Sequence, residues 1–490
     1  MTSHTKTDAL APPAGGRSLS RLSGLAGWLR SAIFLQPSGG RLTWRKVVAS
    51  VVFVVAGAAV SLARTSGPGA LNSTWIEDAG IFMQDALHQS VLTTLTSQLN
   101  GYYDVVPRAV TAIAVAFPIT WVPGIMSAVA AAEYAVFGLI AYIASGPHLR
   151  SPWLRLLVAA PACVIPLGYT QANNDLATVQ FVALYGLFWL LLWRPTTRAG
   201  QVCAPIIMLG ATLTSILTAI LAPLVLARLI ADRSKTSIAV AACWAAGLAA
   251  QWSVQLRGLS NRSSNLYTNP LWILGNYVTR TIPRAIFGER ALGGPGTSFT
   301  GASVPLSIPN LAVHQALIWG ACAIVVAVVA IALATLTAPD WPLAVTALVF
   351  SVLLFVGEIV DNYQIVQPRY VIAPALLLYT AIVAMLRPRG VADDASPAGE
   401  PEGAAHGDAP AVAASRGLLP AVAAWAPVTV FALLLAVVVG FNYRVVNTRS
   451  ESPPWTAVVA AATNACKEPG VAEYQYSHLW WHVQIPCSRV

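Results

Sequence analysis

The run "VVASVVFVVAGAAVSL", Val47–Leu62, decides the class of fold, because it holds sixteen residues and not one of them is charged. A transmembrane helix needs roughly 20 mostly apolar residues. Similar runs recur along the 490-residue chain, which is 56% hydrophobic and only 10% charged, with a mean hydropathy of +0.64. We therefore predict a polytopic, all-α membrane protein.

The charges around this first run predict its orientation. Residues 1–46 hold seven Lys and Arg side chains against one acid, Asp8, and basic residues collect in cytoplasmic loops. We expect a cytoplasmic N-terminus without a cleaved signal peptide, so that Val47–Leu62 is a retained span. The net charge of +9 follows this topology, and no nucleic-acid-binding motif accompanies it.

Threading the later apolar runs through a bilayer gives about eleven membrane helices. The run 203–230 counts as a hairpin of two short helices, because the polar "TLTS" at Thr212–Ser215 interrupts it. The predicted external loops cover residues 65–121, 170–178, 257–314 and 361–369. The predicted regions are a basic cytoplasmic segment 1–46, a transmembrane core 47–386, a disordered cytoplasmic linker 387–418, a last span 419–440 and an external tail 441–490.

Two of the six cysteines lie in the predicted external tail. Cys466 and Cys487 flank its polar part, and an oxidising compartment would favour a disulfide between them. The other four fall in apolar runs and are predicted to be packing residues.

The stretch "STWIEDAGIFMQDALHQSVLTTLTSQLNGYYDVVPR", Ser73–Arg108, concentrates acid in a chain that is otherwise poor in charge. Glu77 and Asp78 precede apolar positions at helical spacing, which predicts an amphipathic helix lying on the membrane with Phe82, Met83, Ala86 and Leu87 on its apolar face. A carboxylate held at that height can act as a general base toward a hydroxyl.

Two further acids of this stretch, Asp85 and Asp104, are expected to solvate the loop or to pair with Arg108 rather than to take part in chemistry.

The predicted loop 257–314 is basic, with five arginines against Glu289 alone. One explanation is that a loop of this length escapes the preference of basic residues for the cytoplasmic side, or that the predicted order of spans is wrong here. The other is that its arginines bind phosphate by charge-assisted contacts. Arg369 in "QPRY" is placed to join them. The candidate phosphate ligands are Arg262, Arg280, Arg284, Arg290 and Arg369.

An acid pair on one external loop and arginines on others favour transfer of a group from a phosphate to an acceptor hydroxyl. Glycosyl transfer from a polyprenyl-phosphate sugar fits, by a single inverting displacement in which a base deprotonates the acceptor and cations stabilise the leaving phosphate. The expected partners are this donor, a glycan or glycolipid acceptor and the lipid bilayer.

These features resemble the GT-C superfamily of polytopic glycosyltransferases that use lipid-phosphate sugars. The resemblance rests on "WIEDAGIF" (Trp75–Phe82), "GYYDVVPR" (Gly101–Arg108), "TQANNDLAT" (Thr170–Thr178) and "QPRYVIAP" (Gln367–Pro374). It implies a GT-C-like fold with external juxtamembrane helices. It also implies Asp78 or Glu77 as the catalytic base, with Asp78 preferred, Asp175 as an auxiliary acid, and Arg369 as a phosphate ligand.

The second loop departs from the Asp-x-Asp pattern that the resemblance would imply, since it reads Asn173-Asn174-Asp175. We therefore predict no metal and no other cofactor. Trp480 and Trp481 could stack on sugar rings, or could instead anchor the tail to the bilayer. The other candidate contacts to sugar or acceptor are Tyr102, Tyr103 and Arg108.

Two other functions compete with sugar transfer. One is a transporter or flippase of a lipid-linked anionic substrate, which the scarcity of ionisable residues within the spans disfavours. The other is a non-catalytic subunit of a cell-envelope complex that uses the tail as its contact surface. The Ala-rich, Lys-poor composition indicates a bacterial inner membrane as the location.

Overall fold

The structure, a computed structural model, is mostly helical. It describes residues 15–37, 42–99, 101–168, 171, 173–258, 269–292, 311–334, 336–361, 367–389, 418–447, 449–478 and 481–490. The predicted site residues Arg262 and Trp480, and most of the predicted linker 387–418, lie outside these residues.

The helices and strands are numbered in chain order. The helices are α1 (Gly15–Ala32), α2 (Trp44–Leu62), α3 (Gln84–His88), α4 (Val91–Thr96), α5 (Val105–Ala114), α6 (Val122–Ala144), α7 (Gly146–Leu149), α8 (Pro152–Ala159), α9 (Pro161–Val164), α10 (Val179–Leu192), α11 (Arg198–Thr214), α12 (Ala222–Ala231), α13 (Lys235–Leu256), α14 (Pro270–Asn276), α15 (Ile282–Phe287), α16 (Leu311–Leu333), α17 (Trp341–Asp361), α18 (Ile372–Met385), α19 (Leu418–Phe441) and α20 (Trp455–Ala465). Two antiparallel pairs of strands join them, β1 (Gln98–Leu99) with β2 (Tyr102–Tyr103) and β3 (Glu473–His478) with β4 (Trp481–Pro486). Single turns of π-helix cover Asp78–Met83 and Tyr277–Thr281, and short 3-10 helices cover Ala70–Asn72, Ile119–Trp121, Ile216–Leu221, Arg290–Leu292, Pro368–Val371 and Cys487–Arg489.

Hydroxyl side chains fix where several of the long helices begin. Thr43 accepts a hydrogen bond from the backbone N–H of Lys46 at the start of α2, and Ser234 does the same for α13. Such caps satisfy N–H groups that the first turn of a helix leaves without partners.

Seven helices within the described ranges are long and apolar enough to cross a membrane, namely those at Trp44–Leu62, Ile119–Ala144, Lys235–Leu256, Ala312–Leu333, Trp341–Val360, Pro368–Met385 and Ala423–Phe441. The prediction of eleven spans is not confirmed, because the other four crossings fall on shorter helices. Prolines divide one of them into α8 and α9, and another is the 14-residue α10. Every residue of α10 is buried within the protein. A short apolar run fits a buried core helix as well as a span, and hydrophobicity alone cannot separate the two.

The interruption predicted near Thr212–Ser215 is present. Helix α11 ends at Thr214, and a 3-10 helix leads from Ile216 into α12.

The core of the bundle is built around α10 and α18, both of which are buried along their whole length. Helix α18 packs against α10, α15 and α17, while α6 packs against α2 and α10. Because α18 begins just after Arg369, this packing holds one of the predicted site residues on a rigid element.

The helix after Glu77 and Asp78 does not lie on the membrane as predicted. Phe82 and Met83 are fully buried and belong to the main hydrophobic core of the protein. The amphipathic pattern was real, but its apolar face packs against protein instead of lipid.

The tail after α19 folds into α20 and the hairpin β3–β4. A disulfide joins Cys466, just after α20, to Cys487, just after β4, with the two Cα atoms 5.4 Å apart. Strand β4 packs on the π-helical turn Asp78–Met83. The tail therefore contributes directly to the surroundings of the acidic motif.

Candidate active site

The acidic motif, Glu77 and Asp78, packs between the hydrophobic core and the tail. Trp75 and Ile76 are buried, and a Cβ added to Gly80 would come within 3.3 Å of the backbone oxygen of His482. The Gln84 amide also binds Gln484, whose backbone N–H donates to Gln84 Oε1 over 2.7 Å. A glycine in "EDAG" thus lets strand β4 approach closely, which fixes the turn that carries Glu77 and Asp78.

Glu77 and Arg369, which are 292 positions apart in the sequence, form an ion pair in the structure. Glu77 Oε1 lies 3.5 Å from Arg369 Nη1, and each side chain is 18% exposed. The other carboxylate oxygen, Glu77 Oε2, is buried and has no hydrogen-bond partner. The carboxylate is therefore only half satisfied, and one oxygen remains able to accept a proton or a hydrogen bond.

The segment just before the second loop lies closely against Arg369. Gly168 has a φ of +64°, and a Cβ there would lie 2.6 Å from Ile372 Cδ1 and 3.5 Å from Arg369 Cα. The Arg369 guanidinium also lies 5.6 Å from the ring centre of Tyr370, a cation–π contact. Only a glycine allows this close approach to the backbone of Arg369.

Asp78 differs sharply from its neighbour Glu77. It is 4% exposed, and its two oxygens accept hydrogen bonds from the backbone N–H groups of Leu176 (3.0 Å) and Ala177 (3.1 Å). Burial, and next the charge of Asp175, raise the pKa of Asp78 to about 8. These contacts suit a side chain that ties the first loop to the second.

Asp175 is fully buried at the start of α10. It accepts hydrogen bonds from the backbone N–H groups of Asn173 and Thr178 and from the Thr178 hydroxyl at 2.6 Å. Burial raises the pKa of Asp175 to about 6, and the charge of Glu77 acts in the same direction. The residue predicted as an auxiliary acid thus closes the turn that starts α10.

Arg449 from the tail is the site residue that the sequence did not predict. Its side chain is almost completely buried, and its guanidinium lies near Asp78 and Asp175. It joins the first loop, the second loop and α6 through hydrogen bonds to the backbone oxygens of Ala70, Ser73, Asn173 and Asn174 and to the hydroxyls of Ser73 and Ser127. No local pattern distinguishes this arginine from the others in the tail, so the sequence carried no signal for it.

A small cavity lies beside the two acidic loops. Asp78 and Arg449 line it together with Trp75, Met126 and Ser127. The cavity differs from the surroundings of the Glu77–Arg369 pair, because its lining mixes apolar side chains with polar groups that are already hydrogen-bonded within the protein.

The residues predicted to contact sugar or acceptor differ from one another in their surroundings. The Tyr102 hydroxyl accepts a hydrogen bond from Gln180 Nε2 over 3.3 Å, and Tyr102 lies near enough to Arg369 to interact with its charge. The backbone of Tyr103 is bound on both sides by the Gln251 amide. Tyr102 therefore belongs to the neighbourhood of the Glu77–Arg369 pair.

Arg108 and Trp481 are both buried. Arg108 pairs with Asp85, with Nη1 to Oδ2 at 2.6 Å, and lies over the Phe82 ring. Trp481 is 5% exposed and packs edge-on against Tyr476. Trp481 therefore has little free surface either for stacking on a sugar ring or for anchoring the tail to the bilayer, since the hairpin buries it against the acidic motif.

The arginines of the region 269–292 make hydrogen bonds of their own. Arg290 Nη1 donates to the backbone oxygen of Phe441 over 3.0 Å, at the end of α19. Near Arg284, the Ala285 backbone oxygen accepts a hydrogen bond from the Tyr379 hydroxyl. Tyr277 of the same region packs with Val371, two residues beyond Arg369. The predicted phosphate ligands of this region are thus held by hydrogen bonds separate from the Glu77–Arg369 ion pair.

No three His, Cys, Asp or Glu side chains of the described residues are grouped as metal ligands would be. A carboxylate beside a guanidinium can deprotonate a hydroxyl and hold an anionic leaving group.

Comparison with known protein families, with curated proteins and with solved structures finds no match to this chain. The resemblance to the GT-C superfamily stays a prediction from short motifs.

Proposed function

We propose that the protein is a membrane glycosyltransferase that moves a sugar from a polyprenyl-phosphate donor to the hydroxyl of an exported glycan or glycolipid. The observation that carries this proposal is the Glu77–Arg369 pair, in which a half-satisfied carboxylate lies 3.5 Å from a guanidinium at a partly exposed position. A base and a phosphate ligand are the two groups that such a reaction needs.

In the proposed reaction, the Glu77 carboxylate accepts the proton of the acceptor hydroxyl as the hydroxyl oxygen attacks the anomeric carbon of the donor sugar. The bond from that carbon to the phosphate oxygen breaks, and its electron pair leaves with the phosphate. Arg369 stabilises the negative charge that develops on the phosphate. One displacement of this kind inverts the anomeric configuration.

Glu77 is favoured over Asp78 as the base, which reverses the preference from the motif alone. Both Asp78 oxygens already accept backbone hydrogen bonds, and its side chain is buried. Asp175 is likewise engaged by Thr178 and Asn173. We assign these two acids to positioning the loops around Glu77.

The arrangement in the membrane follows from the charge pattern. The basic N-terminus lies in the cytoplasm, and the Glu77–Arg369 pair, the disulfide and the tail lie on the external side of a bacterial inner membrane. Lipid-linked donor would then approach from the outer leaflet.

The test is sugar transfer by the purified protein in detergent, with a polyprenyl-phosphate sugar as donor and no membrane gradient. We expect the wild type to release polyprenyl phosphate and Glu77→Gln to lose about 10²-fold or more of the rate, because the amide cannot take up the proton. Glu473→Gln is the matched control, since Glu473 is an exposed acid that pairs with His88.

Full transfer by folded Glu77→Gln protein would refute the role of Glu77. Substrate movement across proteoliposomes without any transfer would instead support the transporter.

A further inference from the structure

A second group of basic side chains lies on the segment 270–287 and at the start of α16. Arg280 and Arg284 are one helical turn apart on the segment 270–287, and His314 on α16 is close enough to interact with the charges of both. Phe287 packs on Gly320 of α16, which holds the two segments side by side. We call Arg280, Arg284 and His314 the basic group.

The basic group contains buried donors that the protein leaves without partners. Arg284 is only 7% exposed, and its Nε has no hydrogen-bond partner; the same holds for the buried Nδ1 of His314. Arg284 Nη1 donates to the backbone oxygen of Arg280, and Arg280 Nε donates to Asn276. A buried polar atom without a partner is destabilising, so a ligand that accepts hydrogen bonds would relieve this cost.

The charge of the group favours an anion. Glu289 is the acid that acts on Arg284, and it offsets one of the two guanidinium charges. A net positive charge remains with His314 neutral. Guanidinium groups bind phosphate oxygens through short, charge-assisted hydrogen bonds.

An apolar surface adjoins the basic group. Leu271, Leu274 and Val278, on the segment that carries the two arginines, are 81%, 48% and 39% exposed, and Val313 beside His314 is 51% exposed. Gly288, one turn beyond Arg284, contacts Asn442 at the end of the apolar helix α19. Cations beside exposed apolar side chains at the end of membrane helices match the two parts of a lipid, its headgroup and its chains.

We propose that the basic group is a second binding site, for the phosphate of a membrane lipid whose chains lie along Leu271, Leu274 and Val278. The site goes beyond the proposed sugar transfer, because it uses side chains other than the Glu77–Arg369 pair and needs no reaction. Arg284 and His314 bind the phosphate oxygens from the buried side, and Arg280 binds from the exposed side.

The experiment measures binding of short-chain phosphatidic acid to delipidated protein by native mass spectrometry, in an Arg369→Gln background that weakens the other phosphate site. We expect one bound lipid. Arg284→Gln in the same background should weaken its binding about tenfold, as loss of one charge-assisted contact predicts. Arg257→Gln is the control, since it removes an exposed arginine that follows α13 and should bind as the background does.

Equal binding by the Arg284→Gln protein and its background would overturn the proposal. Arg280→Gln and His314→Gln provide the same test if Arg284→Gln does not fold, and unchanged affinity in both would also overturn it. Millimolar inorganic phosphate should not displace the lipid; displacement as efficient as by phosphatidic acid itself would replace the lipid with a free anion. Because no transfer is measured, a negative binding result leaves the proposed glycosyltransferase activity untouched.

Discussion

Acidic side chains near the two ends of α18 are held in different ways. At its beginning, Glu77 meets Arg369 at 3.5 Å and keeps one buried oxygen without a hydrogen-bond partner. At its end, Asp340 binds His148 Nδ1 through Oδ2 at 2.9 Å and the Leu343 N–H through Oδ1 at 3.1 Å. Both oxygens of Asp340 are bonded within the protein, whereas one oxygen of Glu77 has no hydrogen-bond partner.

The partners of Asp340 form a closed network. The other nitrogen of His148 contacts the backbone oxygen of Ile33, and Arg387 bonds to the backbone oxygens of Ala338 and His148. Burial acts to raise the pKa of Asp340, but the His148 hydrogen bond and the nearby cations outweigh it and lower the pKa. Complete networks rigidify a protein, while incomplete ones are typical of sites where a ligand supplies the missing contact.

The largest expected effect on stability comes from Arg449, which links the loops around Glu77. Arg449→Met would leave several buried backbone oxygens without donors and Asp78 and Asp175 without their nearest tail cation, at a cost of about 3–5 kcal/mol. Thermal unfolding in detergent measures it, with the exposed tail residue Arg444 as the control in Arg444→Met. Equal melting temperatures in the two variants would contradict the linking role.

Opening the disulfide should have the next largest effect. The bridge closes a segment with a sequence separation of 21, so its loss should cost about 3 kcal/mol through the unfolded chain. We expect Cys466→Ser/Cys487→Ser to loosen β4 and to lower both the melting temperature and the transfer rate. Unchanged protection of the β3–β4 amides from hydrogen exchange would contradict this.

Substitution of Asp340 in the closed network should destabilise the protein more than substitution of Glu77 in the Glu77–Arg369 pair. Asp340→Asn keeps one acceptor for the Leu343 N–H but loses the attraction to His148 and Arg387, and we expect about 2 kcal/mol of destabilisation. Urea or thermal unfolding checks the value. A melting temperature equal to that of the wild type would remove the contrast between the two ends.

The pH dependence should have opposite signs for Asp340 and Asp78. Folding raises the pKa of Asp78 from 3.8 to about 8, so the folded protein holds a proton that the unfolded chain has released, and stability falls as pH rises through this window. Folding lowers the pKa of Asp340, so its contribution is lost as pH falls below the ordinary carboxylate range. The melting temperature of the wild type should be a few degrees lower at pH 8 than at pH 5.5, and this difference should be smaller in Asp78→Asn. The same drop in both would contradict the assignment.

The sequence predicted the membrane class, the break near Thr214 and the meeting of a first-loop acid with Arg369. These follow from apolar length, from a polar interruption and from motifs that end at the same side of the bundle. It did not predict that Glu77 rather than Asp78 keeps an oxygen without a hydrogen-bond partner, because adjacent residues on one turn differ only through the loops packed against them. Arg449 and the burial of Trp481 depend on the tail folding back over the first loop, and no local pattern encodes such a long-range contact.

The count of eleven spans is not confirmed for a related reason. Helix α10 is as apolar as a membrane span, yet it is buried by α6, α11 and α18. Apolar composition reports exclusion from water and does not say whether protein or lipid excludes it.

Glu77→Gln should have the smallest effect on stability, below about 1 kcal/mol, because a partly exposed pair contributes little to folding. The most direct test therefore compares Glu77→Gln and Asp340→Asn in one set of purified proteins, with transfer rate and melting temperature measured on each. We predict that Glu77→Gln loses about 10²-fold or more of the rate at a nearly unchanged melting temperature. Asp340→Asn should lose stability and keep its rate below its lowered melting temperature. A folded Glu77→Gln protein that transfers sugar at the wild-type rate would contradict the account.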